Sequence, residues 1–282
     1  LEAQQAAFEA AQLRLEAAEQ QRAAALAAVE KQRAELEALR AERNRADEAT
    51  AKARRALADL EARFETLNQL QRDFTGTFAG VRAAMQWAER QGRNDFVLVA
   101  TIVRTPAHLE TAIEVVLGAR LQNIVVEHWQ DAEDAIAALK RSGQGRATFL
   151  PLDTLRVNLN ERRPVATSDA VLGVAADLVD FDEHYRKVVT YLLGRTLVVR
   201  DLPTAREQLR QVSGGWAIVT LAGEQVSSGG AVTGGAQIKE SGTLRRAREL
   251  RELPEQISAQ REAVVEAGAQ RSVIDQRIAA AE

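Results

Sequence analysis

The segment Ala100–Gly118, ATIVRTPAHLETAIEVVLG, has a counterpart in Ala176–Gly194, ADLVDFDEHYRKVVTYLLG. Few letters match, but the apolar pattern does: Ile102 aligns with Leu178, Val103 with Val179, Leu109 with Tyr185, Ile113 with Val189, Leu117 with Leu193 and Gly118 with Gly194. After a short slip, IVVEHWQDAEDAI from Ile124 matches LVVRDLPTAREQL from Leu197, and ATFLPLD from Ala147 matches AIVTLAG from Ala217. Each half reads as a strand-like run, helix, strand, helix, strand. Short β-rich runs (NIVVE, ATFLPL, TLVVR, WAIVTL) alternate with helical stretches and turn residues, so the middle of the chain is a compact α/β module of two subdomains of one design.

Outside the module the period changes from two to seven. Leu1, Phe8, Leu15, Val29, Leu36, Leu57 and Phe64 lie on one heptad comb, and Ala11, Ala18, Ala25, Leu39, Ala46, Ala53, Leu60 and Leu67 lie three positions on. No Pro or Gly interrupts the run, which predicts a coiled-coil helix about 100 Å long. Arg22, Arg43 and Thr50 break its apolar seam. A second comb, Leu250, Leu253, Ile257, Val264, Ala267, Ile274, Ile278 and Ala281, is interrupted by Gln260 and Arg271, and Pro254 predicts a kink or an irregular first turn. Both arms leave the same module, so they are expected to fold back as an antiparallel pair with Phe64 and Leu67 near Leu250 and Leu253. The shorter arm then reaches back only to about Leu36, and roughly the first 30 residues are left without a partner in this chain. The chain begins mid-pattern at Leu1, as expected of a segment of something longer.

Composition narrows the chemistry. The 282 residues contain no cysteine, which removes disulfides, thiolate metal sites, a Cys nucleophile and a zinc-hook type of junction. The three histidines lack paired-ligand spacing; His108 and His184 occupy equivalent places in the two halves, pointing to a shared structural role. Asp180, Asp182 and Glu183 are adjacent and precede a helix, which suits an N-terminal cap better than an acid/base pair. A net charge of −3 gives no global pull towards nucleic acid or anionic lipid. No run is apolar enough to span a bilayer and no signal peptide opens the chain, so a soluble, cytoplasmic protein is expected. No enzyme is legible in these residues.

The stretch QVSSGGAVTGGAQIKES, Gln225–Ser241, puts Gly229, Gly230, Gly234 and Gly235 within seven residues. A glycine-rich loop before a helix can cradle phosphate, but no GxxxxGK[ST] occurs, and Gly235 is followed by Ala236, Gln237 and Ile238. Glycines at this density permit positive φ and close backbone approach; the bland alternative is a flexible tether. Next to it Lys239, Arg245, Arg246, Arg248 and Arg251 gather where module meets arm. Such a group can neutralise DNA phosphates without reading bases, although Glu240, Glu249 and Glu252 dilute it towards an ordinary solvated face.

In sequence the middle resembles the hinge domain of structural maintenance of chromosomes (SMC) proteins, most like the bacterial form. The resemblance is carried by GVRAAM (Gly80–Met85), LETAIEVVLGARLQNIVVE (Leu109–Glu127), GRATFLPLD (Gly145–Asp153), VLGVAADLV (Val171–Val179), YLLGRTLVV (Tyr191–Val199) and VSSGGAVTGG (Val226–Gly235), in the family's order. Asn94 and Val97 depart from it, standing where the family usually has glycines, and only Lys239 remains of its denser lysine run. The resemblance implies an α/β (α+β) hinge of two repeated subdomains flanked by an antiparallel intramolecular coiled coil: an N-terminal arm over 1–72, subdomains over 73–160 and 161–242, and a C-terminal arm over 243–282. It implies a homodimer in which Gly230, Gly234 and Gly235 of one subunit's second half meet the other's first half, with weak, non-specific DNA contact through Lys239, Arg245, Arg246 and Arg248. It also implies no cofactor in this segment, with ATP and Mg held by a distant ATPase head, accessory subunits at that head, and a role in chromosome condensation and segregation at the nucleoid. The competing reading is a nucleotide-binding or enzymatic α/β domain carried on a scaffold coiled coil.

Overall fold

The computed structural model describes residues 2–74, 76–157, 169–212, 215–235 and 242–282, with side chains in the first helix described from position 12 onward. In chain order the elements are α1 (Glu2–Arg72), α2 (Ala79–Arg90), β1 (Val97–Leu98), α3 (Val99–Ile102), α4 (Glu110–Leu117), β2 (Ile124–Val126), α5 (Trp129–Ser142), β3 (Phe149–Pro151), β4 (Val171–Val174), α6 (Arg186–Leu193), β5 (Thr196–Val199), α7 (Leu202–Gln208), β6 (Ala217–Thr220), β7 (Gln225–Ser227), β8 (Val232–Thr233) and α8 (Thr243–Ala281). They divide into two compact units, one of 1–65 with 253–282 and one of 66–252. The subdomain division expected at 160/161 lies outside the described residues.

In the first unit α1 and α8 run antiparallel, in the register that the heptads predict. Arg261 meets Glu61 at 2.7 Å, Arg277 meets Glu42 at 3.3 Å and Glu282 meets Arg40 at 3.3 Å. The polar breaks in the seam are matched across it. Arg43 pairs with Asp275 at 3.0 Å, Arg271 with Asp47 at 2.6 Å, and the Gln260 amide donates to the Ala53 carbonyl at 3.0 Å. Thr50 is buried and returns its hydroxyl to the Ala46 carbonyl at 2.8 Å, satisfying itself within its own turn. Leu13, Leu15, Leu26 and Val29, ahead of the paired stretch, are exposed. The helix continues through Pro254, although a proline there supplies no N–H to the Leu250 carbonyl.

The second unit holds the repeat. One sheet has the order β1-β2-β3 and the other β4-β5-β6-β7-β8. In each, the first pairing is antiparallel and the second parallel. The apolar runs Ala100–Val103 and Ala176–Val179 are not strands: they begin as helical turns just past β1 and β4. Ala100, Ile102, Val103, Ala176 and Val179 are buried, and a short apolar run satisfies a buried turn as readily as a strand. The third-strand alignment also shifts by one. Ile124 faces Phe149 and Leu197 faces Ile218, so Phe149 corresponds to Ile218 and not to Val219. The same offset recurs where Leu152 N–H donates to Val126 and Leu221 N–H donates to Val199.

The halves join at equivalent residues. Arg104 and Asp180, matched by the sequence repeat, exchange two backbone hydrogen bonds of 2.8 Å each and add a 2.8 Å side-chain ion pair. A contact in which each residue meets its own counterpart marks a local two-fold relation between the halves. One apolar core runs through both, including Ile113, Val125, Val189, Leu197, Val198 and Ile218. A second core, on the other face of β2, packs Ile124 and Val126 against Val81, Ala84, Ala135 and Leu139 of α2 and α5. Alternation along β2 thus feeds two cores from one strand.

Candidate functional site

Two features of the second unit fall outside its internal packing needs: its sheet edges and the charged base of α8. In the repeat, β3 is the counterpart of β6. Beyond β6 the second half adds the hairpin β7–β8, whereas among the described residues β3 ends its sheet. Next to β3 lies a cleft of about 550 Å³ lined by residues including Phe78, Arg120, Thr148, Leu150 and Tyr191. Phe78 and Tyr191 are more than half exposed. On the opposite sheet β8 is the terminal strand, and Val232 within it is 62% exposed. An open edge offers unpaired N–H and C=O groups to another strand.

The glycine cluster shapes that edge. Gly230, in the β7–β8 connection, has φ +86° and donates to the Ser227 carbonyl at 2.9 Å; Gly235, just past β8, has φ +131°. Both conformations disfavour a side chain, and a Cβ at either would meet nothing within 4 Å. Gly234 differs: a Cβ there would lie 3.0 Å from Cγ of Glu224 in its own chain. Two of the three predicted interface glycines therefore have a local conformational reason, and open space over them. A further glycine went unremarked in sequence. Gly80 at the start of α2 sits so close to Arg146 that a Cβ would lie 2.2 Å from its carbonyl oxygen, which joins GVRAAM to GRATFLPLD in space.

The cations at the base of α8 are less uniform than their spacing suggests. Lys239 lies outside the described residues. Arg245 is exposed and only 3.7 Å from Glu249. Arg246 is half-buried, with a 3.4 Å bond to the Thr243 hydroxyl. Arg248 is bound by Glu110 of α4 at 2.6 Å and by Glu252 at 2.9 Å, and these carboxylates hold its guanidinium above its usual range. Arg251 is shifted the other way, lowered by burial and then by the positive charge of Arg104, which sequence spacing gave no reason to include. The backbone contact between the halves brings Arg104 to the arm base.

Two acidic residues of α4 complete the site. Glu114 is buried and accepts the Thr243 N–H at 2.8 Å, occupying the start of α8. Its carboxyl is raised above the ordinary value, because burial outweighs the Thr243 bond and the Arg246 charge. Glu110, one turn earlier, takes Arg248. An i, i+4 pair on α4 thus faces Thr243 and Arg248, five apart on α8, as an antiparallel crossing of two helices allows.

The remaining candidates are accounted for by structure. Asp182 caps the turn before α6 by accepting from the His184 N–H at 3.0 Å, Glu183 pairs with Arg186, and Asp180 pairs with Arg104. His184 meets Glu127 at the end of β2 at 2.7 Å, linking the two halves, whereas its counterpart His108 is exposed. The shared role expected of the two histidines is not observed, because Arg200, just past β5, stands in the place of Glu127.

A duplicated α/β module set between the strands of one antiparallel coiled coil defines a hinge-type connector. The model of the SMC proteins' flexible hinge domain matches residues 93–209. The chromosome partition protein Smc of Bacillus subtilis is 38% identical over 202 residues, covering 70% of this chain and 17% of that protein. That of Desulfitobacterium hafniense is 38% identical over 224 residues, covering 76% and 19%. Among solved structures, an asymmetric dimer of the Geobacillus stearothermophilus SMC hinge domain superposes with a TM-score of 0.76 at 32% identity, over 86% of this chain and 98% of that one. The chain belongs to the SMC hinge family. It spans less than a fifth of the length of the Smc proteins just described.

Proposed function

We propose that this chain is the dimerisation hinge of a chromosome-partitioning SMC protein, joining two copies through their sheet edges and touching DNA weakly at the base of α8. The observation that carries the reading is the mismatch between the halves: among the described residues β3 ends its sheet at the position where β6 is continued by β7–β8. In a two-fold pair, the β8 edge of each copy meets the β3 edge of the other, so both open edges are covered twice over by one symmetry operation. Gly230 and Gly235 keep the approach free of side chains. The Geobacillus relative, described as an asymmetric dimer, supports the pairing of two copies.

Sedimentation across a concentration series tests it. Wild type is expected to pass from one copy to two, and Val232→Lys, on an exposed edge position, should stay a monomer with unchanged helix content. Val232 is a better probe than Gly234, whose replacement would press on Glu224 of its own chain. A wild type that stays monomeric at the highest concentration overturns the reading.

For DNA, Arg245 and Arg251 are the exposed cations of the group among the described residues, with Arg246 and Lys239 near Arg245 in sequence. Few contacts of this kind give salt-sensitive binding without base preference. Retention on DNA at rising salt should fall for Arg245→Glu with Arg246→Glu; curves identical to wild type dismiss the contact. In the whole protein, the ATP and Mg chemistry belongs to a head outside this segment, with accessory subunits bound there, and the assembly sits on the nucleoid and condenses and segregates chromosomes.

A further inference from the structure

Arg248 was the natural candidate for a phosphate contact, yet it is the most committed of the arm-base arginines. Its side chain is 26% exposed and its partner on α4, Glu110, only 12% exposed, with 2.6 Å between them. Glu252 takes a second guanidinium nitrogen at 2.9 Å. The start of α8 is held in place for this contact by Glu114, which accepts the Thr243 N–H, and by Leu244, which is 2% exposed within the central core. A charge-assisted pair in a partly dry setting is stronger than one on an open surface, and a phosphate would have to displace a carboxylate already in place.

We infer that Glu110 is an autoinhibitory ligand: it occupies Arg248 and so holds the arm-base cation cluster below its full capacity for polyanion, until α8 is drawn off α4 or Glu110 is neutralised. The inference rests on the proposal that this surface contacts DNA, and concerns how that contact is limited. Arg248 in this arrangement is a reserve cation, while Arg245 is already on display. Release of a single additional arginine adds about one phosphate contact, which steepens the dependence of log affinity on log salt by about 0.9 and strengthens binding roughly five- to tenfold near 0.1 M salt.

The test is DNA retention by the 282-residue chain across a salt series, on a short mixed-sequence duplex and on a single strand of equal length. Glu110→Gln should tighten binding by that factor and steepen the slope by about one. Glu133→Gln, which removes an equal charge from the exposed face of α5, controls for bulk charge and should leave the slope unchanged. Arg248→Gln alone should match wild type within about twofold, because its charge is already taken, and combined with Glu110→Gln it should abolish the gain. The inference falls if Glu110→Gln behaves like Glu133→Gln, if the double variant keeps the gain, or if Arg248→Gln by itself flattens the slope by one. Should wild type bind, and lose binding in Arg245→Glu with Arg246→Glu, while Glu110→Gln changes nothing, only the autoinhibition is wrong. Should neither wild type nor Glu110→Gln retain DNA at any salt, the DNA reading is wrong and the inference goes with it.

Discussion

At the scale of single residues, the consequential positions are those where a backbone or a charge has no room to move. Gly80→Ala would place a methyl 2.2 Å from the Arg146 carbonyl oxygen, backbone against backbone, so the loop before β3 must shift. A loss of about 1–3 kcal/mol in denaturant unfolding is expected, with no change in the coiled-coil signal. Glu114 makes a pH-dependent contribution whose sign follows from its raised carboxyl. The folded state holds that proton more tightly than the unfolded one, so the stabilisation is complete below the ordinary carboxylate value and is lost as pH rises through the folded value. Glu114→Gln should therefore gain on wild type in melting temperature as pH increases, and then level off. Glu114→Ala, which strips the Thr243 N–H of its acceptor, should instead cost about 1–3 kcal/mol at every pH. Neither residue was legible in sequence. Gly80 is an ordinary glycine ahead of a helix until Arg146 is brought against it, and Glu114 sits on a helix face whose partner lies 129 positions away.

Among the elements, legibility followed periodicity. The heptads of α1 and α8 gave both helices and their antiparallel register, because one face must stay apolar for many turns and the pattern accumulates. The central strands β2, β3, β5 and β6 were visible as β-rich runs. What escaped was short or depended on pairing: the turns after β1 and β4 and the one-residue offset of β3 against β6. Register is settled by hydrogen bonds between strands, and two apolar stretches can be aligned a residue apart without visible penalty in composition. The arms carry their own prediction. Thr50 lies in the seam with its hydroxyl turned back on Ala46, so Thr50→Val removes a buried hydroxyl without orphaning a partner. It should raise the melting temperature of the arms by the equivalent of about 0.5–1 kcal/mol, followed by helical circular dichroism.

For the molecule as a whole, duplication supplies a local two-fold at Arg104 and Asp180, and in the proposed dimer the sheets, unequal among the described residues, would propagate it into a pair of chains. A dimer built this way has two equivalent junctions, and the second closes within a complex already formed, at high effective concentration. Mixed dimers of wild type with Val232→Lys, which keep one of the two junctions, should form where Val232→Lys alone stays monomeric, but exchange subunits faster than wild type; labelled-subunit exchange measures this. The matched charges in the arms have a mechanical corollary. Displacing one strand along the other by a heptad would set Arg43 beside Gly268 or the terminal Glu282, and Asp47 beside Val264 or Ile278, so the Arg271–Asp47 rung is lost in either direction and the Arg43 rung in one of them. The paired rungs therefore act as a detent, and a pull on one strand is passed to the other as tension instead of being lost to slippage.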